Sequence, residues 1–309
     1  MQYQPHLDGL RGLAALTIVA FHARVPGLWG GFIAVDVFFV LSGYLITKVL
    51  KENHSIGEFY YRRVTRLVPP LVLMLITYLA VFTLLMSDYP HWRDAIISFL
   101  YLSDYSAAFW GIPKYLLHTW SLSVEAHFYI LWPLVFVLFK PGVPTLFLFY
   151  IVVTAWRWVQ PEWSETYYRF DTRVSGLILG CVLAYFPNKL KVPGLLGLPL
   201  IALGCHMFML GEPTVQDWGM IVIEISTAIV LIGKPPQFLM NNVLIYLGKL
   251  SYGIYLWHYP VVRLLREQGI DWSWVFVGGL GVSILCAAFS YHIWEPYVRR
   301  KMSWGRSRN

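Results

Sequence analysis

The chain has 309 residues, of which 57% are hydrophobic and only 13% are charged, and its formal net charge is +7. Soluble domains usually carry about 25% charged residues, so this composition excludes a soluble globular protein. It predicts an all-α fold, a polytopic helical bundle in a lipid bilayer. The basic residues lie in short loops between apolar segments, which is typical of membrane topology and argues against nucleic-acid binding.

A transmembrane helix needs about 20 mostly apolar residues. Segments of that kind predict about ten spans, with the N-terminus in the cytoplasm. The segment 92–104 is too short for a crossing, and we expect it to be re-entrant or to lie in the membrane interface. The predicted spans are 10–25, 32–50, 67–86, 121–139, 144–159, 174–187, 195–210, 217–233, 250–266 and 273–294.

The loop charges support this count, because ten crossings place nearly all basic loops on the cytoplasmic side. We therefore expect a multi-pass protein of the cell inner (plasma) membrane with both termini in the cytoplasm. Residues 1–300 form the membrane domain and 301–309 a short basic tail. No cleavable signal peptide is evident. The three cysteines are scattered, without a CxxC pair, so neither a disulfide framework nor a metal site is expected.

His22 lies in an apolar stretch, 13–25, where an ionisable group is costly and therefore a functional candidate. Arg11 precedes it by eleven residues, which places both on one helix face roughly 16 Å apart. Asp36 begins the next apolar stretch. His22 suits a general base, and Asp36 would orient its ring. Alternatively, His22 makes a helix–helix hydrogen bond, and Asp36 pairs with a cation for structural reasons.

Three arginines, Arg62, Arg63 and Arg66, follow the second span. On a helix Arg66 lies beside the other two, and because like charges repel, the cluster indicates a bound anion. Arginine matches phosphate oxygens, so one interpretation is a site for a polyphosphate-bearing cytoplasmic substrate. The other is a topology signal that binds lipid phosphates.

Two further stretches place polar groups on one helix face. Glu125 stands in a span beside His118, which indicates acceptor binding or proton transfer. Capping of the helix start by serine is the structural alternative. In the second stretch, Ser251, Tyr255 and His258 share a face and would line a polar cavity, although an aromatic belt at the membrane edge fits equally well. Other charged residues are expected to form ion pairs that fix helices: Arg157, Arg169, Asp171, Arg173 and Glu295.

Taken together and in order, these stretches resemble the membrane acyltransferase 3 family, which includes O-acetyltransferases of bacterial surface polysaccharides. The resemblance covers nearly the whole chain. It rests on Leu7–Ala15, Phe21-His22, Gly30–Ile46, Arg62–Arg66, Thr119–Glu125 with Phe128-Tyr129, Leu250–Pro260 and, more loosely, Tyr291–Pro296.

The resemblance implies about ten helices, a cytoplasmic acyl-CoA donor, most simply acetyl-CoA, and a glycan acceptor with a hydroxyl group. We expect His22, Asp36 and Glu125 to be catalytic. Arg11, Arg62, Arg63 and Arg66 would bind the donor. The acceptor would contact His118, Trp120, Ser121, Ser123, Tyr255 and His258.

Several alternatives stay open at this point. His22 acts either as a general base or through a covalent acyl-histidine. A transporter or flippase of a lipid-linked sugar would also carry polar groups in mid-membrane. The acceptor could be lipopolysaccharide O-antigen, capsule, exopolysaccharide, peptidoglycan or a small glycoside.

Overall fold

A computed structural model describes residues 3–52, 55–186 and 192–306, with side chains as far as residue 302. Within these ranges the protein is helical throughout, without β-strands, which confirms the predicted all-α fold. The helices are α1 (Pro5–His22), α2 (Ala34–Lys51), α3 (Ile56–Leu85), α4 (His91–Phe99), α5 (Ser103–Trp110), α6 (Thr119–Phe139), α7 (Val143–Trp158), α8 (Trp163–Tyr168), α9 (Phe170–Leu183), α10 (Gly197–Met207), α11 (Met220–Ile232), α12 (Asn242–Glu267), α13 (Trp272–Phe289) and α14 (Glu295–Arg306).

Short 3₁₀ or π segments extend several of these helices, such as Gly31–Ile33 before α2, Val215–Gly219 before α11 and Ser290–Trp294 between α13 and α14. Each of the ten predicted spans falls on one helix. Five helical segments within the described ranges are long and apolar enough to cross a membrane, so this is a membrane protein, while the count of ten stays a prediction. The five are Gly31–Lys51, Ile56–Leu85, Thr119–Phe139, Val215–Ile232 and Trp272–Met302.

The doubtful segment 92–104 contains parts of two short helices, α4 and α5, of nine and eight residues. A helix of this length extends only about 13 Å, which is less than half of a roughly 30 Å hydrocarbon core. Neither helix can cross alone. The basic loop with Lys189 and Lys191 and the end of the tail lie outside the described residues.

The contact between α1 and α12 is the most extensive of the bundle, and it depends on glycine. A Cβ at Gly248 of α12 would lie 1.8 Å from the carbonyl oxygen of Asp8, and one at Gly12 of α1 would lie 2.3 Å from that of Leu244. Small residues let helix backbones approach closely in membranes. The two backbones therefore touch, and polar side chains further along both helices are brought together. We call the end where α1 begins the Tyr3 end and the end where it finishes the His22 end.

We predict that Gly248→Ala destabilises the bundle by about 1–3 kcal/mol, the usual range for overpacking, because the added methyl overlaps the Asp8 carbonyl. Thermal unfolding in detergent would measure the loss. Gly281→Ala on α13 is the matched control, since its Cβ would meet nothing within 4 Å. Equal unfolding temperatures for both variants would show that the close approach is not needed.

Candidate active site

His22 is the last residue of α1, and the helix ends there through a reverse turn. The amide of Val25 donates to the carbonyl of Ala20 at 3.0 Å, and the amide of Arg24 donates to that of Phe21 at 2.9 Å. This is the Schellman pattern of helix termination. His22 was expected deep inside an apolar span, but it is half-buried at a helix end. The apolar stretch 13–25 is therefore not one continuous helix.

The hydrogen bonds of two histidines determine which nitrogen of His22 is free. His258 Nδ1 lies 2.7 Å from the carbonyl oxygen of Tyr255, and His258 Nε2 lies 3.1 Å from His22 Nδ1. A carbonyl oxygen only accepts, so His258 Nδ1 donates to it, and in the neutral ring Nε2 must then accept. His22 Nδ1 is the donor, shared with the carbonyl oxygen of Ile18 at 3.0 Å.

This assignment leaves the lone pair of neutral His22 on Nε2. That atom has no hydrogen-bond partner within the described residues and is not sealed off from the cavity that His22 lines. A neutral imidazole with an unoccupied, accessible lone pair is a candidate proton acceptor or nucleophile. The partner imidazole of His258 fixes the tautomer, as a carboxylate does in other catalytic sites.

A cavity of about 520 Å³ opens at the His22 end, and its walls are largely aromatic. No aspartate or glutamate is among the described residues that line it, whereas two arginines are. The aromatic lining consists of Phe21, Trp29, Phe32, Trp120, Tyr167, Tyr168, Tyr255 and Tyr259, and the arginines are Arg24 and Arg266.

His118 stands immediately before α6 and lines the same cavity. Its Nε2 is 3.2 Å from the carbonyl oxygen of Leu256, and its ring stacks on Tyr259 at 5.0 Å. Its Nδ1 is buried without a hydrogen-bond partner in the described structure. The hydroxyl of Tyr255 donates to the His118 carbonyl at 2.8 Å and lies 2.6 Å from Ser121 Oγ. These bonds join α6 to α12 at the cavity wall.

Arg11 and Glu125 meet a smaller central cavity of about 40 Å³. Arg11 Nε donates to Ser251 of α12 at 3.3 Å, and Glu125 accepts from Ser42 of α2 at 2.5 Å. Tyr129 donates to Ser42 at 3.2 Å. A cation and a carboxylate from different helices thus lie beside one cavity without forming a direct ion pair with each other.

Asp36 forms no hydrogen bond to His22, so the expected orienting interaction is absent between these two described residues. It forms a buried ion pair with Arg173 of α9, with 2.9 Å between Oδ1 and Nη2. This is the alternative in which Asp36 pairs with a cation. Arg157 and Glu224 form a second buried pair at 3.8 Å, bridged by Ser175. Arg169 pairs with Asp171 two residues later, and Glu295 pairs with Arg299 one turn later, so these two ion pairs are local.

The three arginines of α3 point to different surroundings. Arg62 is exposed and pairs with Glu58 one turn earlier. Arg63 is half-buried, with its guanidinium 5.3 Å from the ring centre of Tyr129. Arg66, unlike Arg62 and Arg63, lines a cavity of about 340 Å³ at the Tyr3 end. Its charged neighbours there are Asp8, Lys249, Glu295 and Arg299.

Most of the expected acceptor residues converge on the cavity at the His22 end. Trp120 and His118 line it directly, and His258 contacts His22. Ser123 instead accepts from the backbone amide of Ser103 at 3.1 Å and lines none of the three cavities. The described residues contain no group of three or more His, Cys, Asp or Glu side chains that could hold a metal ion.

Comparison with known proteins identifies the family. An acyltransferase domain model, that of the acyltransferase 3 family, matches residues 5–292. This chain belongs to the acyltransferase 3 family. The O-acetyltransferase OatA of Staphylococcus aureus is 33% identical over 97% of this chain and 58% of its own length. The peptidoglycan O-acetyltransferase OatA of Listeria monocytogenes is 31% identical over 97% of this chain and 56% of its own length.

The chain thus spans little more than half the length of these curated relatives. No solved structure matches it. The resemblance seen in the motifs is confirmed, and the chain is a membrane protein of this family. The ordered motifs did not reveal Arg24, Arg266 or Ser42 as site residues. Arginines at the end of a span look like ordinary topology signals, and serine in a span carries no distinctive pattern.

We predict that Asp36→Asn lowers the stability of the protein by about 3–5 kcal/mol, because it leaves the Arg173 guanidinium buried without its counter-charge. Replacing both partners, as Asp36→Leu with Arg173→Met, should recover much of the loss. Thermal unfolding in detergent measures both effects. An unchanged unfolding temperature with an altered pH profile of acyl transfer would instead assign Asp36 a catalytic function.

Proposed function

We propose that this protein is a membrane O-acetyltransferase that moves an acetyl group from cytoplasmic acetyl-CoA to a glycan hydroxyl on the opposite face of the plasma membrane. The observation that carries the proposal is the accessible Nε2 lone pair of His22, held by His258 beside a large aromatic cavity. The family supplies the acyl-transfer chemistry.

In this mechanism His22 Nε2 accepts the proton of the acceptor hydroxyl as its oxygen attacks the thioester carbonyl. The carbon–sulfur bond breaks, and the proton then passes to the leaving thiolate of CoA. General-base assistance of this kind contributes about 10²–10⁴-fold in rate. His258 is a positioning residue, because its Nε2 accepts from His22 Nδ1 and stabilises the imidazolium while it exists. Asp36 takes no part, since Arg173 occupies its carboxylate.

Three cavities along α12 support a route for the donor between the two ends. Tyr252 lines both the cavity at the Tyr3 end and the central one, and Tyr255 lines both the central one and the cavity at the His22 end. Asp8 and His22 are fourteen residues apart on α1, about 21 Å along the helix axis. With the CoA phosphates bound at the Tyr3 end, the thioester arm of acetyl-CoA would have to extend over this distance to reach His22.

The cavity at the Tyr3 end suits the phosphates of CoA. Arg66 and Lys249 line it, and neither forms a salt bridge within the described structure, whereas Arg299 is paired with Glu295. Arginine and lysine both bind phosphate oxygens. We assign the principal donor contact to Arg66 and a weaker one to Arg63. Because its partner is Glu58, Arg62 contributes least. The basic loops at this end favour a cytoplasmic location.

For the acceptor we propose a cell-surface glycan or its lipid-linked precursor. The aromatic walls of the cavity offer flat apolar surfaces for sugar rings. Two relatives are named O-acetyltransferases, one of them of peptidoglycan. Peptidoglycan is therefore the first acceptor to test.

The proposal predicts that purified protein releases free CoA from acetyl-CoA only when a glycan acceptor is present, and that His22→Ala lowers this rate by about 10²–10⁴-fold because the base is lost. His258→Gln should lower it by less and change its pH dependence, because the tautomer of His22 is no longer fixed by an imidazole. Free CoA and acetylated product are measured together.

His292→Gln is the matched control, because this exposed histidine hydrogen-bonds only to Tyr246 and lies outside all three cavities. Near-normal transfer by His22→Ala would refute the assignment of the base. Movement of a lipid-linked sugar across vesicles without CoA release would favour a transporter instead. A labelled acyl-enzyme accumulating without acceptor would favour the covalent histidine route.

On the donor side, Arg66→Gln should raise the KM for acetyl-CoA by about tenfold, the scale of one charge-assisted hydrogen bond. Arg62→Gln should change it much less, since Arg62 is already paired. Initial rates at saturating acceptor measure both. Lys140→Gln, an exposed charge after α6, is the control for net charge. If the KM for acetyl-CoA is the same in all three variants, the arginines do not bind the donor and serve membrane topology alone.

A further inference from the structure

The cavity at the His22 end carries an unbalanced positive charge. Arg24 and Arg266 line it, and no carboxylate does within the described residues. Neither arginine forms a salt bridge with another described residue. Their charges repel each other. Two unpaired cations in one largely apolar cavity lower the free energy of an anion that enters it.

Arg24 occupies a backbone position where its side chain has a conformational cost. Its φ is +62°, at the residue after the cap of α1, where the Schellman turn normally carries glycine. A non-glycine residue in this region is strained. Glycine would adopt this φ without strain, so the arginine at this position indicates that its guanidinium has a function.

Arg266 approaches the proposed base itself. Its Nη1 donates to the backbone carbonyl oxygen of His22 at 3.1 Å. This contact uses one of the five N–H groups of the guanidinium, and Nε and Nη2 have no hydrogen-bond partner in the described structure. A ligand group that binds these donors lies next to the acceptor hydroxyl on which His22 acts.

We infer that Arg24 and Arg266 form a binding site for a carboxylate or phosphate of the acceptor, so that the substrates are acidic glycans modified close to the charged group. Arginine matches both oxyanions by paired hydrogen bonds. That the ligand is the acceptor rests on the proposed function. Binding of an anion by Arg24 and Arg266 does not require catalysis.

The test is a binding measurement that needs no turnover. The protein is reconstituted in nanodiscs of phosphatidylcholine, and a disaccharide containing N-acetylmuramic acid is compared with its methyl ester by calorimetry, without donor. We expect the free acid to bind at least about tenfold more tightly. The double variant Arg24→Gly with Arg266→Gln should bind both ligands equally and weakly.

Arg24→Gly alone keeps the turn geometry and relieves its strain, so a loss of preference in this variant cannot be ascribed to misfolding. Arg263→Gln is the control, since Arg263 pairs with Glu267 one turn from Arg266 and does not line the cavity. Equal affinity of wild type for acid and ester, or a preference that survives the double variant, would overturn the inference.

Two further measurements distinguish this site from a lipid-binding site and from a role of Arg266 in transition-state stabilisation. If phosphatidylglycerol in the nanodiscs abolishes the preference by competition, the arginines bind lipid headgroups and the inference is wrong. If Arg266→Gln lowers kcat equally for acidic and neutral acceptors without changing KM, Arg266 stabilises the transition state instead, which also overturns it. A retained acid preference in a protein that transfers no acetyl group would refute the proposed function but not the anion site.

Discussion

The close contact between α1 and α12 is the constraint on which the site depends. At Gly12 and Gly248 the two backbones touch, because a Cβ at either would overlap a carbonyl of the other helix. Further along the same pair of helices, Arg11 meets Ser251 and His22 meets His258. The contacts between these side chains are possible only because the helices approach this closely. The small residues near the start of α1 therefore contribute to the chemistry at its end.

Charged groups within the bundle divide into two kinds. The pairs Asp36–Arg173 and Arg157–Glu224 are neutralised internally and join α2, α7, α9 and α11. Such pairs are costly to break and are no measure of function by themselves. Other polar groups keep unused hydrogen-bonding capacity beside a cavity, and it is these that a substrate can use. We therefore propose His22, Arg66 and Arg266 as site residues and assign Asp36 a structural role.

The motifs predicted part of what the structure shows for His22. A histidine in an apolar stretch is costly, and this cost marked His22 as a functional candidate. Its place at the end of α1 was not predicted, because the turn that ends the helix contains Arg24 at a position where glycine would have indicated a helix end. The pairing with His258 spans 236 residues of chain, a separation that no local pattern encodes. Ser251, Tyr255 and His258 were predicted to share one face, and they do, since helical periodicity alone determines this.

The sequence by itself determined the class of protein, the helical segments and the family, because these depend on composition, local periodicity and ordered motifs that are readable along the chain. Only the tertiary structure decided which charges are neutralised and which face a cavity. The three arginines of α3 look equivalent in sequence, yet one pairs with Glu58, one packs on Tyr129 and only Arg66 lines the cavity at the Tyr3 end. The availability of a charge depends on partners from distant helices, and their identity is set by helix packing.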